Sequence, residues 1–216
     1  MSHAIKIMAA VFSILLCAAP VAQAGDSPKD IKLRLGAGNP VAGKDKSAMC
    51  QGCHGVDGNS PAPGFPKLSG QFADYLRKQI LDYQTGARVD PVMSGMAATV
   101  TVNQDLLDIA AYFASQKQMK GVAGKSEAGE KMYREGDPAR GIYGCINCHG
   151  ENGKGRTPDN ALFPLIGGQH KDYLVKQITD LKAGNRKNDP GSMMATVAQA
   201  LTSGEIEAVA EYLAGQ

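Results

Sequence analysis

Apolar side chains recur every three or four positions in two long segments of the chain, one in each half. This spacing places them on one face of a helix, so each segment predicts an amphipathic α-helix. Gly86 and Gly184 follow the two segments and are suited to end a helix. The apolar positions are Phe72, Tyr75, Leu76, Ile80 and Tyr83 in the first segment and Tyr173, Leu174, Ile178 and Leu181 in the second.

A second amphipathic helix is predicted at the end of each half. No segment shows the alternation that is typical of a half-buried strand, and glycine and proline cluster between the helical segments, as in residues 59–64. The pattern therefore predicts an all-α fold with long loops. The apolar positions of these closing helices are Leu106, Ile109, Ala110 and Phe113 in the first half and Ile206, Val209, Ala210 and Leu213 in the second.

The two halves are copies of one sequence unit. Residues 65–88 align with residues 163–186 at a constant offset of 98, and 13 of these 24 positions are identical. Such self-similarity indicates a tandem duplication of one domain. A stretch rich in Lys, Gly and Ser separates the copies and has the composition of a linker. The predicted boundaries are 25–116 for the first domain, 117–126 for the linker and 127–216 for the second domain.

The N-terminus has the features of a secretory signal peptide that is cleaved after residue 24. Lys6 precedes an apolar run over residues 7–19, and the small-residue sequence Ala22-Gln23-Ala24 follows. The run is shorter than the roughly 20 residues that a membrane-spanning helix needs. Cys17 lies inside this segment and leaves with it. The protein is therefore expected to be exported to the periplasm with four cysteines.

The composition excludes two classes of protein and shows a low content of aromatic residues. With 43% hydrophobic residues and a net charge of +2, the chain is not of the disordered class. The 23 basic residues are nearly balanced by 21 acidic ones, so no nucleic acid is expected as a partner. Aromatic residues make up only 6% of the chain and there is no Trp, which is little bulk for two small cores. The shortage suggests that something other than side chains fills them.

Each half contains one Cys-x-x-Cys-His motif, followed by Gly. Two thiols separated by two residues on a helical turn reach one edge of a flat ligand, and the adjacent imidazole points over its face. This arrangement is required for covalent attachment of c-type haem through thioether bonds, with the histidine as an iron ligand. The motifs predict two haem c groups, attached to Cys50, Cys53 and His54 in the first half and to Cys145, Cys148 and His149 in the second.

Other uses of four cysteines fit less well. In an exported protein they would ordinarily form disulfides. A structural zinc site of two Cys pairs needs those pairs about 15–20 residues apart, and Cys53 and Cys145 are much farther apart than that. A dithiol redox motif is typical of a βαβ context, which the helical pattern does not provide.

A methionine pair in each half offers the sixth ligand of the haem iron. A Met thioether is the ligand that exported electron carriers commonly use, and it raises the reduction potential. Aligning the two halves on the segment that leads into the closing helix distinguishes the candidates, because Met93 lies seven residues before Val100 and Met194 lies seven before Leu201. This register selects Met93 and Met194 as axial ligands. Met193 remains an alternative, as does Met96.

His170 is the remaining imidazole outside the two motifs and the predicted signal peptide. It aligns with Phe72 in the repeat, within a predicted helix that already has its own apolar face. A position at the surface or at a haem edge is therefore expected, and not a position as an iron ligand.

The chain resembles the cytochrome c4 family, dihaem proteins made of two class I cytochrome c domains. The resemblance covers residues 25–216 almost completely, and an apparent one-residue insertion over residues 100–103 departs from the family pattern. The segments that carry it are the two Cys-x-x-Cys-His-Gly motifs, residues 55–63, Phe65-Pro66-Lys67-Leu68, residues 163–170 and residues 185–189.

The resemblance implies contacts around each iron ligand. The carbonyl oxygens of Pro66 and Pro164 are expected to accept the Nδ1 protons of the two motif histidines and tune their basicity. A glycine of the first helix of each domain is expected to pack on a tyrosine of the last helix. These pairs are Gly43 with Tyr112 and Gly129 with Tyr212.

The resemblance implies electron transfer in the periplasm, from a respiratory donor complex or small carrier to a terminal oxidase, and peripheral association with the outer face of the membrane. Two six-coordinate irons leave no position for a substrate, so the protein is not expected to be an enzyme. The alternatives are a dihaem subunit of a larger dehydrogenase, similar to flavocytochrome c sulfide dehydrogenase, and a dihaem peroxidase-type enzyme. Residues 25–120 hold 11 basic and 9 acidic side chains and residues 121–216 hold 11 and 12, so the halves are suited to different partners.

Overall fold

The computed structural model describes residues 37–122, 124–156 and 162–216. The predicted signal peptide lies outside these ranges. In the N-terminal half, taken here as residues 37–116, helices run in the order α1 (Pro40–Lys46), α2 (Ala48–His54), α3 (Ala73–Thr85), α4 (Met93–Ala98) and α5 (Asn103–Ala114).

The C-terminal half, residues 127–216, has five helices in the same order, with a short hairpin inserted between the first two. Its helices are α6 (Glu127–Glu135), α7 (Ile146–His149), α8 (Lys171–Ala183), α9 (Met193–Ala200) and α10 (Ser203–Ala214). Short 3-10 turns occur at Pro138–Arg140, Glu151–Gly153 and Pro190–Ser192. The predicted all-α fold is confirmed, because the described residues are predominantly helical.

A small antiparallel hairpin between α6 and α7 was not predicted. Its strands are β1 (Gly136–Asp137) and β2 (Ile142–Tyr143), and Gly136 pairs with Tyr143. Strands of two residues are too short to show an alternating pattern, so hydrophobic periodicity could not predict them. The hairpin buries Ile142 against Leu201 and Ile206 of the C-terminal half.

Polar residues start several of the helices. Asn39 accepts hydrogen bonds from the first N–H groups of α1, and Ser126 accepts one from Gly129 in α6. Thr202 and Glu205 form a reciprocal capping box at the start of α10. Phe72 and His170 stand immediately before α3 and α8, one position outside the helices predicted to include them.

The first and last helices of each half cross at a glycine. A Cβ atom on Gly43 would overlap the carbonyl oxygen of Asp108 and would lie 2.8 Å from Cβ of Tyr112. A Cβ atom on Gly129 would overlap the carbonyl oxygen of Ala208. Tyr212 also packs on Tyr133, with ring centroids 5.4 Å apart. The absence of a side chain at the two glycines thus sets the distance between the helices.

Among the described residues, the N-terminal half has one apolar cluster, the C-terminal half has two, and a fourth joins the halves. The joining cluster contains Phe72, Leu165 and Met119, which lies in the predicted linker and is fully buried. Gly121 donates a backbone hydrogen bond to Gln216. Met119 and the backbone beside it are therefore packed against both halves, whereas Val122 in the same predicted linker is exposed. Within the described ranges, no helix is long and apolar enough to cross a membrane.

Candidate functional site

The first Cys-x-x-Cys-His motif forms helix α2 and the turn that ends it. Cys50 and Cys53 are half-buried and form no disulfide, and His54 is buried at the last position of the helix. Gly55 follows with φ of 83°, a conformation that a side chain would strain. The helix therefore holds both thiols and the imidazole on one side of the N-terminal half.

The ring of His54 is fixed by one hydrogen bond. Its Nδ1 lies 2.8 Å from the carbonyl oxygen of Pro66, which can only accept, so Nδ1 carries the proton. Burial lowers the pKa of His54, although the carbonyl acts in the opposite direction. A neutral ring with its Nδ1 proton engaged leaves the Nε2 lone pair available to bind a metal ion.

The C-terminal half repeats this geometry. His149 is buried at the end of α7, and its Nδ1 lies 2.9 Å from the carbonyl oxygen of Pro164. Burial lowers the pKa of His149, again against the effect of the carbonyl. Cys145 and Cys148 are half-buried and unpaired by disulfides. The two motifs are thus structurally equivalent.

In the first cysteine of each motif, burial favours the protonated thiol. Burial raises the pKa of Cys50, and it raises the pKa of Cys145 to about 11. In the part of the chain that the structure describes, no group of three or more His, Cys, Asp or Glu residues is placed to hold a metal ion.

One continuous cavity opens beside both motifs. It extends across both halves, because residues of the N-terminal half and of the C-terminal half line it. The lining is predominantly apolar and includes Cys50, His54, Cys148 and His149. An apolar cavity lined in this way suits large, flat, apolar ligands, because a cysteine and an imidazole of each motif face it.

All four candidate methionines line this cavity. Met93, Met96 and Met194 are half-buried, whereas Met193 is 42% exposed. The closing turns of α4 and α9 share one structural marker, a buried alanine. Met93 lies four residues before Ala97, and Met194 lies four residues before Ala198. Superposing the buried alanines pairs Met93 with Met194, and pairs Met96 with a valine.

The structure places His170 at the boundary between the halves. Its Nε2 lies 3.0 Å from the carbonyl oxygen of Ser60 in the N-terminal half. In the repeat its counterpart Phe72 rests on Gly155 of the C-terminal half, so the two contacts are equivalent by the duplication. His170 thus has a packing role between the halves.

Sequence reasoning missed a polar network across this boundary. Arg88 donates to Gln79 in its own half and, across the boundary, to Gln177 at 2.6 Å and to the Tyr173 hydroxyl at 3.1 Å. Arg186 makes the reciprocal contact with the Tyr75 hydroxyl at 3.3 Å. A signal was available, because these arginines, glutamines and tyrosines are identical pairs in the 98-residue repeat, and the glutamines and arginines lie off the apolar helix positions.

The Cytochrome c family profile matches residues 41–117 and 126–216. A cytochrome c4 of Stutzerimonas stutzeri is 47% identical over 191 residues, which cover 83% of this chain and 90% of that protein. The crystal structure of reduced recombinant cytochrome c4 from Pseudomonas stutzeri superposes with a TM-score of 0.75 at 45% identity, covering 83% of this chain and 99% of that one. The chain belongs to the cytochrome c4 family.

A cytochrome c4 of this kind carries two covalently bound haem c groups and transfers electrons. The two cytochrome c domains, the paired motifs and the apolar cavity that both motifs line fit that cofactor content. Another relative of this chain is named after the enzyme from which it accepts electrons. A thiosulfate dehydrogenase electron acceptor of Stutzerimonas stutzeri is 37% identical over 199 residues, covering 89% of this chain and 87% of that protein.

Proposed function

We propose that each half holds one haem through its own motif. Cys50 and Cys53 attach the first haem, and Cys145 and Cys148 attach the second. His54 and His149 supply the proximal axial nitrogen. The observation that supports this most strongly is the matched orientation of the two rings by the carbonyl oxygens of Pro66 and Pro164. Bound haem supplies a one-electron couple, and the protein fixes the ligands and excludes water from the iron.

The sixth ligands in this proposal are Met93 and Met194. The shared spacing to the buried Ala97 and Ala198 supports this register, and the greater exposure of Met193 disfavours it as a ligand. With a thioether on each iron, neither haem keeps an open position. The protein then acts as an electron carrier and not as an enzyme.

Replacing the ligands one at a time tests the register. Oxidised Met-ligated haem has a weak Met-sulfur-to-iron absorption band at long wavelength, and two such sites contribute two equal parts. We expect Met194→Leu to remove about half of the band and Met193→Leu to leave it whole. Because loss of the thioether destabilises the reduced iron, the potential of the C-terminal haem should also fall.

The matched pair in the N-terminal half is Met93→Leu and Met96→Leu. Met93→Leu should remove the contribution of the N-terminal haem to the band, and Met96→Leu should leave the band whole. Loss of intensity in Met193→Leu with full intensity in Met194→Leu would contradict the proposed register. An absorption titration of each variant provides both the band and the potential.

We place this carrier in the periplasm, between a respiratory donor and a terminal oxidase. The signal-like sequence over residues 1–24 and the family support export. A second partner class is supported by the likeness to a thiosulfate dehydrogenase electron acceptor. The two roles are compatible with one another, because a carrier with two haems can receive electrons from more than one donor.

The different charge of the two halves supports docking of donor and acceptor on different halves. Lys44 follows the crossing glycine of α1, and Glu130 follows the equivalent glycine of α6. Both side chains are exposed. They provide equivalent positions in the repeat for reversing a surface charge on one half at a time, although Glu130 also pairs with Arg134 of its own helix.

We expect Lys44→Glu to slow reaction with one redox partner roughly twofold at low ionic strength and to leave the other unchanged. Glu130→Lys should affect the second partner instead. Stopped-flow kinetics with a terminal oxidase, a quinol-oxidising complex and a thiosulfate dehydrogenase would provide the rates. Equal effects on all partners would show that the halves do not divide the docking. Absence of any reaction with the oxidase would contradict the proposed pathway.

A further inference from the structure

Two buried glutamines connect the halves in a reciprocal way. The side-chain amide of Gln169, in the C-terminal half, pairs with the backbone of Lys67 in the N-terminal half. It accepts from the Lys67 N–H at 2.8 Å and donates to the Lys67 carbonyl oxygen at 2.9 Å. Gln71 pairs in the same manner with Leu165, accepting at 3.0 Å and donating at 2.8 Å. Gln71 is 4% exposed and Gln169 is 5% exposed.

The peptide groups that the glutamines contact are those that orient the histidines. The N–H of Lys67 and the carbonyl of Pro66 belong to one peptide group. That group receives the Nδ1 proton of His54 on one side and donates to Gln169 on the other. The group between Pro164 and Leu165 likewise receives from His149 and donates to Gln71. Each histidine is therefore linked to a side chain of the opposite half through a single peptide unit.

The positions of the glutamine oxygens are fixed from a second side. Oε1 of Gln169 also accepts the backbone N–H of His170 at 3.0 Å, and Oε1 of Gln71 accepts that of Phe72 at 3.0 Å. With two donors on each oxygen and little exposure, the amides have little freedom to leave these peptides. The two glutamine amides therefore belong to the fixed surroundings of the motif histidines while the two halves are in contact.

Hydrogen bonds in series polarise one another, which strengthens each bond by about 10–30% in condensed phases. An N–H that donates to a glutamine oxygen makes its own carbonyl a stronger acceptor. A stronger acceptor draws the Nδ1 proton away from the ring and raises the basicity of the opposite nitrogen. A more basic nitrogen stabilises oxidised iron relative to reduced iron, which lowers the reduction potential.

We infer that Gln169 is a positioning residue for the haem of the N-terminal half and that Gln71 is one for the haem of the C-terminal half. Each amide polarises the peptide group that holds the other half's proximal histidine. The inference rests on the proposed roles of His54 and His149 as iron ligands. Its consequence is that the reduction potential of each haem depends on its contact with the opposite half.

Substitution in the holoprotein tests this directly. Gln169→Met keeps the length of the side chain and removes the amide. In the reduced, diamagnetic protein we expect the Nδ1–H resonance of His54 to move upfield, as for a weakened hydrogen bond, and that of His149 to stay in place. The potential of the N-terminal haem should rise more than that of the C-terminal haem. Gln71→Met should give the opposite assignment. Haem methyl resonances, assigned through contacts with each motif, identify the half.

Gln177→Met is the matched control. Gln177 is 9% exposed and also bonds across the boundary, to Arg88, but it contacts neither of the two peptide groups. It should leave both Nδ1–H resonances unchanged. An unshifted His54 resonance in Gln169→Met, equal shifts in both halves, or the same shift in Gln177→Met would overturn the inference.

Two further measurements cover a variant that does not fold. Gln169→Asn keeps an amide in the boundary but shortens its reach by one methylene, and the same upfield shift is expected. In the unmodified protein, a scalar coupling across the hydrogen bond should connect the Lys67 nitrogen with the side-chain carbonyl carbon of Gln169, and its absence would overturn the inference. If the long-wavelength Met bands persist in the variants while the Nδ1–H resonances do not shift, the inference is wrong but the proposed function still stands. Loss of the proposed histidine ligands would instead show in the spectrum of the unmodified protein.

Discussion

A chain produced without haem should lose most of its helical circular dichroism and should be cleaved rapidly by protease. The two apolar clusters at the centre of the halves contain few large rings, and the cavity beside them is lined by apolar side chains from both halves. Without its cofactor this surface is exposed to water, and two small domains cannot offset the cost of ordering their chains. Comparison of haem-free and haem-loaded chain by circular dichroism tests the expectation.

The control for this experiment is a chain that can attach only one haem. Replacement of Cys145 and Cys148 by Ala should prevent covalent attachment in the C-terminal half and leave the first haem in place. We expect the loss of structure to be concentrated in the C-terminal half, as limited proteolysis would show. Full helicity in a chain that carries no haem would contradict the view that the porphyrin completes the cores.

The second large effect is expected at the glycine where α6 crosses α10. In Gly129→Val the new side chain would overlap the backbone carbonyl of Ala208, so the two helices must separate. Overpacking of this kind costs about 3 kcal/mol of unfolding free energy. Because a backbone atom is in the way, no change of rotamer relieves the overlap. Guanidinium unfolding of the holoprotein provides the measurement.

Gly204→Ala is the matched control for the glycine variant. Gly204 lies in α10 as well, but a Cβ atom there would meet nothing within 4 Å. Alanine at this position should be neutral or slightly stabilising, since glycine is the poorer helix former. If the two variants had the same stability, the proposed close approach of the helices would not determine the packing.

The features that the sequence predicted well are those set by local pattern. Helical spacing identified α3, α5, α8 and α10, and the repeat identified the duplication. The positions of the cysteines and histidines follow from the motif itself, since five adjacent residues on one turn determine their own geometry. The resemblance to cytochrome c4 supplied the expected contacts of Pro66 and Pro164, and the structure has both.

The features that could not be predicted lie where the halves meet. The pairing of Gln71 with Leu165 joins residues 94 positions apart, and nothing in the local pattern indicates which surfaces of the two copies face each other. The linker composition of residues 117–126 gave no sign that Met119 is fully buried. A single methionine among Lys, Gln and Gly is buried only because both halves leave a gap that it fills.

The paired polar residues of the repeat have a different explanation. Gln79 and Arg88 were visible as identities with Gln177 and Arg186, but helix patterning assigns polar positions to solvent. In the structure they bond across the boundary between the halves, and Arg88 is largely buried. Their burial is stable because the opposite copy provides the partners.

The most direct test of the account is the absorption spectrum of the oxidised holoprotein, followed through a reductive titration. Two haems, each with one histidine and one methionine ligand, predict a long-wavelength Met-sulfur-to-iron band of the intensity of two sites. They also predict uptake of two electrons per chain, with no change when a small exogenous ligand is added. A band with the intensity of one site, together with binding of the added ligand, would contradict the account, because one iron would then have an open position.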